Sequence, residues 1–386
     1  MKSTHQYIWE YPEWPQFRYD IIQVARHVAL ARRAQGFAEG KLTAVGLNTR
    51  QEIIADAWAQ DALATAAIEG ERLNIDAVRS SIARRLGTPL RKVVGTPRQV
   101  DGLLDIMQDA MHNAAKPITH ERLHGWQAAL FPTGFSSMNK IRVGAYREHD
   151  EPMQIVSGRI GYETVHYEAP PSTRVPDEME KFMRWLNEAN EPDTIVRAAL
   201  AHLWFESIHP FEDGNGRVGR AIIDLVLARD SDGSGRMLRI SQRLAEKRDA
   251  YYEQLGRAQH GDLDVTEWVL WFTEQFHCAC VAAAEMVDQS LKKGLFWAEH
   301  SDKDLTDRQR KVVNLLLDAG PRGFEGDMST RKYESIAATS RATASRELGD
   351  LERKGLLRSI GSGRGTRYFI NLDGWDPITN PVPPTL

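Results

Sequence analysis

Cysteine is almost absent from this chain of 386 residues, which holds only Cys278 and Cys280. At i and i+2 of an expected helix these two cannot reach each other, and no second pair exists to complete a zinc site. They read as buried, reduced thiols of a cytoplasmic protein. No apolar run reaches the roughly 18 residues that a membrane-spanning helix needs. Met1–Gln6 has no apolar signal core, so neither secretion nor a membrane is expected. Excess charge is missing as well: the net charge is −4, so the whole surface is not a nucleic-acid binder. What remains is 42% hydrophobic and 26% charged, the composition of a globular protein long enough for two or three domains.

Most of the chain reads as helix. Tyr7–Asp20 is rich in aromatic residues and proline and cannot be one continuous helix. Amphipathic runs follow at about 20–35, 49–69, 74–86 and 97–115, and Thr119 is a candidate cap for the next. Between 144 and 171 the signal changes. Met153–Ser157 and Glu163–Tyr167 have strand propensity around a Gly158–Tyr162 turn, which predicts a small β-hairpin. Helices resume at about 176–189, 193–208, 217–229, 242–258 and 264–291. After the polar break 299–304 comes the order helix, helix–turn–helix, two strands, which is that of a winged helix.

One stretch carries chemistry: His209-Pro210-Phe211-Glu212-Asp213-Gly214-Asn215-Gly216-Arg217-Val218-Gly219-Arg220. The proline after His209 ends the preceding helix there. Gly214 and Gly216 around Asn215 let backbone N–H groups turn toward an anion, and the next helix points its N-terminal dipole at the same spot. Arg217 and Arg220, at i and i+3, share a helix face and supply two guanidinium donors. Asp213 offers a hard oxygen ligand for Mg²⁺ beside the phosphates, and His209 a neutral imidazole base for a hydroxyl. Base, metal ligand, anion nest and charge clamp together describe nucleotidyl or phosphoryl transfer.

The string resembles the Fic-domain signature H-P-F-x-[D/E]-G-N-G-R-x-x-R at every fixed position. That resemblance implies a mainly α fold and transfer of AMP from ATP to a Ser, Thr or Tyr hydroxyl of a target protein. It makes His209 the base and Phe211 a core anchor. Asp213 would bind Mg²⁺ (Mn²⁺ as the alternative), Gly214, Asn215 and Gly216 would hold phosphates, and Arg217 and Arg220 the outer phosphates. The hairpin, with Val165, His166, Tyr167 and Glu168, is similar to the family's flap, which positions a target segment by strand addition. Gly144–Arg147 resembles the segment before the flap. Tyr251, Tyr252 and Gln259 resemble the adenosine-pocket stretch, although the two tyrosines read also as core aromatics.

Fic proteins often carry an inhibitory helix ending [S/T]-x-x-x-E-[G/N], and Thr65-Ala66-Ala67-Ile68-Glu69-Gly70 matches it. The resemblance implies that Glu69 pairs with Arg220 and so removes the donor for the ATP γ-phosphate. In some relatives that glutamate activates a water that removes AMP, making removal a second activity to consider.

The expected organisation is an N-terminal helical region over 1–115, a Fic catalytic domain over 116–292 with a small β-hairpin flap, a C-terminal winged helix over 305–372 and a tail over 373–386. Residues 328–370 hold nine Lys/Arg against four Asp/Glu. Arg341, Thr343 and Arg346 fall on the expected recognition helix and Arg364 and Arg367 on the wing, so DNA is a candidate partner. The leading expectation is a cytoplasmic, homodimeric, autoinhibited protein adenylyltransferase. A winged-helix transcriptional regulator that senses nucleotide and a transferase of another nucleotide moiety are the alternatives.

Overall fold

The computed structural model of the chain describes residues 6–87, 95–159, 162–188, 193–230, 238, 240–320, 327–373 and 375. These are mainly helical, with three two-stranded antiparallel pairs. The chain divides into two compact units, Met1–Val287 and Asp288–Leu386.

In the first unit the helices are α1 (Ile21–Ala44), α2 (Leu47–Ile68), α3 (Ile75–Leu86), α4 (Arg98–His112) and α5 (His120–Leu130). After them come α6 (Val175–Glu188), α7 (Thr194–Ile208), α8 (Asn215–Ala228), α9 (Ile240–Glu246), α10 (Arg248–Gln259) and α11 (Thr266–Glu299), in which the unit boundary falls. Asp20, Asn74, Thr119 and Asp193 cap α1, α3, α5 and α7, their side-chain oxygens accepting first-turn N–H groups. Every residue of α7 from Ile195 to Ile208 is buried, so it is the central helix, and α8 packs beside it. One hydrophobic core runs from Ile8 to Val287 and joins the stretches expected as an N-terminal region and a catalytic domain.

The N-terminal aromatic segment packs onto this core. Trp14 and Phe17 meet Trp204 of α7 edge-on, and the Trp14 indole N–H donates to Glu178 of α6 at 2.9 Å. The expected hairpin is present as β3 (Gln154–Arg159) and β4 (Tyr162–Glu168), with an irregularity between Ile155 and Val156. A smaller pair, β1 (Phe135–Ser136) with β2 (Asn139–Lys140), had no sequence signal. No described helix is long and apolar enough to cross a membrane.

The second unit holds α12 (Asp307–Asp318), α13 (Thr330–Ile336), α14 (Arg341–Arg353) and the antiparallel pair β5 (Leu357–Ile360) and β6 (Arg367–Ile370). Its own core centres on Val312, Val313, Tyr333, Ala344, Leu348 and Leu351. Arg341 and Arg346 are exposed on α14, while Thr343 and Arg367 are half-buried. The side chain of Arg364 and nearly all of the tail lie outside the described residues.

Candidate active site

The turn from α7 to α8 builds the site. His209 ends α7 in the left-handed region (φ 50°, ψ 61°), and Gly214 (φ 90°) opens α8. Gly214 admits no other residue easily, since a Cβ there would stand 2.9 Å from the Phe131 ring and the positive φ would strain it. The Asn215 side chain bridges the turn: its Oδ1 accepts the Phe211 N–H at 2.9 Å and its Nδ2 donates to the Phe211 carbonyl at 2.8 Å. Phe211 is fully buried. The loop is thereby held rigid with the start of α8 facing its concavity.

A buried arginine fixes His209 from behind. The Arg147 Nε donates to the His209 carbonyl at 2.8 Å, and its Nη2 donates to the carbonyls of Pro170 at 2.5 Å and Ile208 at 3.3 Å. Arg147 lies between the hairpin and the catalytic turn, and burial pulls its pKa down to about 10. The His209 side chain is 16% exposed. Burial, with Arg147 adding, lowers its pKa to about 4, so the imidazole is neutral near pH 7.

Asp213 is partly exposed. Its Oδ1 accepts the Gly214 N–H at 2.5 Å and lies 3.8 Å from an Arg217 nitrogen, while its Oδ2 accepts the Ser136 hydroxyl from β1. Among the described residues no cluster of three or more His, Cys, Asp or Glu could hold a metal ion by itself. A carboxylate at the edge of an anion nest is nonetheless a donor that Mg²⁺ uses when substrate phosphates and water complete its shell, so Asp213 fits that ion.

Both arginines of the turn are occupied by carboxylates from the end of α2. The Arg220 Nη2 donates to Glu69 Oε1 at 2.6 Å and to the Thr65 carbonyl at 3.1 Å, and its Nε donates to Thr65 Oγ1 at 2.7 Å. The Arg217 Nη1 donates to Glu71 Oε1 at 2.8 Å. Burial alone would raise the Glu69 carboxyl, but the charge and hydrogen bond of Arg220 outweigh it and hold the group below its usual range. Burial would likewise lower Arg220, and Glu69 overrides that. Glu69 lies so close that a Cβ at Gly216 would stand 2.2 Å from its Oε1, so this carboxylate occupies space directly above the nest. The Glu69 backbone is the C-cap of α2, and Gly70 follows at φ 78°. Arg248 steadies this end by donating to the Ile68 carbonyl at 3.1 Å.

The other expected site residues divide. Val165 and His166 are exposed, with Val165 registered against Val156, whereas Tyr167 is buried and donates its hydroxyl to the Ser207 carbonyl at 2.8 Å. The Glu168 carbonyl accepts the Trp9 indole N–H at 2.8 Å. The hairpin thus has an exposed outer portion and an anchored base. Tyr251 is buried, its hydroxyl 2.7 Å from His202 Nε2 and its ring against Trp271. Gln259 is also buried and contacts the Ser207 hydroxyl at 3.5 Å. Tyr252 alone of these three is substantially exposed, with Arg248 over its ring. Ser136, Glu71 and Glu206 were not singled out from the sequence. Glu71 could have been, since it follows Glu69 by two residues just past the Gly70 turn that ends α2.

A buried imidazole, a helix N-terminus opened by Gly214 and two arginines stand on one loop-to-helix turn, an arrangement that suits an anionic ligand beside a proton acceptor. Residues 117–227 match the Fic/DOC family model, and residues 7–88 match a domain of unknown function, DUF4172. A probable protein adenylyltransferase of Aquifex aeolicus, aq_aa38, is 33% identical over 101 residues, which are 26% of this chain and 29% of that protein. The protein adenylyltransferase Fic of Nematostella vectensis is 24% identical over 218 residues, 54% of this chain and 45% of that protein. The chain therefore spans less than half the length of these curated relatives. The crystal structure of a Fic family protein from Desulfovibrio desulfuricans G20 shares the fold, with a TM-score of 0.52 and 21% identity over 91% of this chain and 95% of that one. Residues 117–227 are therefore a Fic/DOC-type domain within the chain.

Proposed function

We propose that this chain is an autoinhibited protein adenylyltransferase that moves AMP from ATP to a hydroxyl of a target protein. The observation that carries the reading is the largely buried His209 side chain on the same turn as the Gly214-opened, Asn215-bridged start of α8 and its two arginines. In the transfer, the target hydroxyl oxygen forms a bond to the α-phosphorus, the bond from that phosphorus to the β-phosphate oxygen breaks, and pyrophosphate leaves. The hydroxyl proton passes to His209. The backbone N–H groups at the start of α8 and the guanidinium groups of Arg217 and Arg220 would hold the phosphates in line for that displacement. Asp213 would hold Mg²⁺, which neutralises charge on the triphosphate.

The brake works by occupancy of the same cations. While Glu69 holds Arg220 and Glu71 holds Arg217, the triphosphate lacks the donors that would align it. The exposed Val165 and His166 of β4 suit strand addition by a target segment. The second unit is read as a winged helix with Arg341 and Arg346 on its outer helix.

The test is intact-mass and peptide mass spectrometry after incubating the full chain and a cell lysate with ATP and Mg²⁺. An AMP-sized increment on a hydroxyl side chain is the expected result, and a different nucleotide increment would replace the donor assignment. Asp213→Ala is expected to lower the rate by about 10²-fold or more, because it removes the carboxylate proposed to hold the metal beside the phosphates. Full activity of that variant, or of the wild type in excess EDTA, would remove Asp213 from this role.

A further inference from the structure

Along one face of α7 the side chains of His202, Glu206 and His209 follow one another at i, i+4 and i+7. His202 Nδ1, Glu206 Oε1 and His209 Nδ1 are all buried and none makes a well-aligned hydrogen bond, although the backbone of Glu206 lies within reach of the His209 ring and that of Gly219 within reach of the His202 ring. Three polar atoms so poorly paired in a row within a well-packed core require a reason, since burying them without good partners is costly. Glu206 stands at their centre. Its side chain is 6% exposed, and its Oε2 lies 3.8 Å from His209 Nδ1.

The surrounding structure makes room for this carboxyl. Gly219 on α8 faces it so closely that a Cβ would fall 2.4 Å from Glu206 Oε1 and 3.1 Å from His202 Nδ1. The charged and titratable groups around it are His202 and His209 on its own helix, Arg220 from α8, Glu69 from α2 and Tyr251 from α10.

We propose that Glu206 is a positioning residue for the base: its carboxylate accepts the His209 Nδ1–H, fixing the tautomer in which Nε2 is bare and able to take the target's proton. The inference rests on reading His209 as the base. An imidazole's free nitrogen is set by what the other nitrogen donates to, and the wrong tautomer presents a donor where an acceptor is needed. The separation is 3.8 Å, and a rotation of the Glu206 side chain would bring it to hydrogen-bond length, as catalytic hydrogen bonds tighten when substrate engages. Burial pushes the Glu206 carboxyl up to about 8, Arg220 opposes that and Glu69 adds to it.

The test is nitrogen-15 NMR of the histidine rings in the full chain near pH 9, above the Glu206 midpoint, with His209 identified by loss of its signals in His209→Gln. Wild type is expected to show a protonated Nδ1 and a bare Nε2. Glu206→Leu, an apolar replacement of similar size, is expected to move His209 toward the opposite tautomer, and Glu206→Gln, with a weaker neutral acceptor, to fall between. In a Glu69→Gly background kcat should drop roughly 10²-fold or more in the leucine variant with KM for ATP unchanged. An unaltered tautomer in both variants overturns the proposal and leaves the Glu206 backbone carbonyl as the acceptor. So does an altered tautomer with undiminished kcat. If the leucine variant does not fold, the glutamine variant decides by the same two readouts. Absence of AMP transfer in every variant, wild type included, refutes the adenylyltransferase reading while the tautomer measurement still judges Glu206.

Discussion

His209→Ala is expected to abolish AMP transfer, with a loss on the order of 10²–10⁴-fold, while ATP affinity stays close to that of the wild type. The two effects separate because the nest is built without the imidazole. The Asn215 side chain, the left-handed Gly214 and the first turn of α8 hold the loop, and Arg147 grips the His209 backbone carbonyl, which the alanine variant retains. Calorimetry of ATP binding beside a transfer assay measures both. Near-normal transfer by the variant would show that His209 is not the base, and loss of ATP binding would show that the substitution had damaged the cradle instead.

The opposite sign is expected for Glu69→Gly. Releasing Arg220 should raise transfer by roughly 5–150-fold, the usual range for coupling between a regulatory contact and a site. The gain is not the full value of an isolated ion pair, since Thr65 still holds Arg220 through its hydroxyl and carbonyl, and Glu71 still holds Arg217. Adding Arg220→Ala should erase the increase, because both changes act through one guanidinium, so the double variant must be non-additive. Auto-modification followed by mass spectrometry reads the effect without knowledge of the target. A glycine variant no faster than wild type would mean that the Glu69–Arg220 pair does not limit the reaction.

Much of the site was legible because its parts are neighbours in the chain. Residues 209–220 form one loop and one helix turn, so glycine placement, the proline stop and the i, i+3 arginines could be read without tertiary information. The start of α8 was expected near Arg217 and lies at Asn215, whose side chain closes the turn from inside the helix. Elsewhere packing outweighed local signals. The helix expected at 20–35 continues to Ala44 through Gly36 and Gly40, because Gln35, Ala38 and Leu42 are buried. The single helix expected at 242–258 is divided at Lys247, and Arg248 turns there to reach the Ile68 carbonyl. That contact, to a residue 180 positions away, leaves no trace in periodicity. β1 and β2, two residues each, are too short for an alternation to show, yet Ser136 of β1 reaches Asp213. The role of Glu206 was hidden for another reason: on an all-buried helix a glutamate carries no amphipathic signal, and only the neighbours it meets give it meaning.

The guanidinium of Arg147 has a mechanical consequence. It is a fixed strut with one arm on Pro170, just past the end of β4, and the other on His209. The hairpin base and the catalytic turn are thereby indexed to each other as parts of one jig. A segment laid along the hairpin edge inherits its distance from the imidazole through that strut, whatever its side chains are. Under the proposed transfer, selection of the hydroxyl would then be a matter of ruler length: the residue modified would be the one a set number of positions along the docked strand.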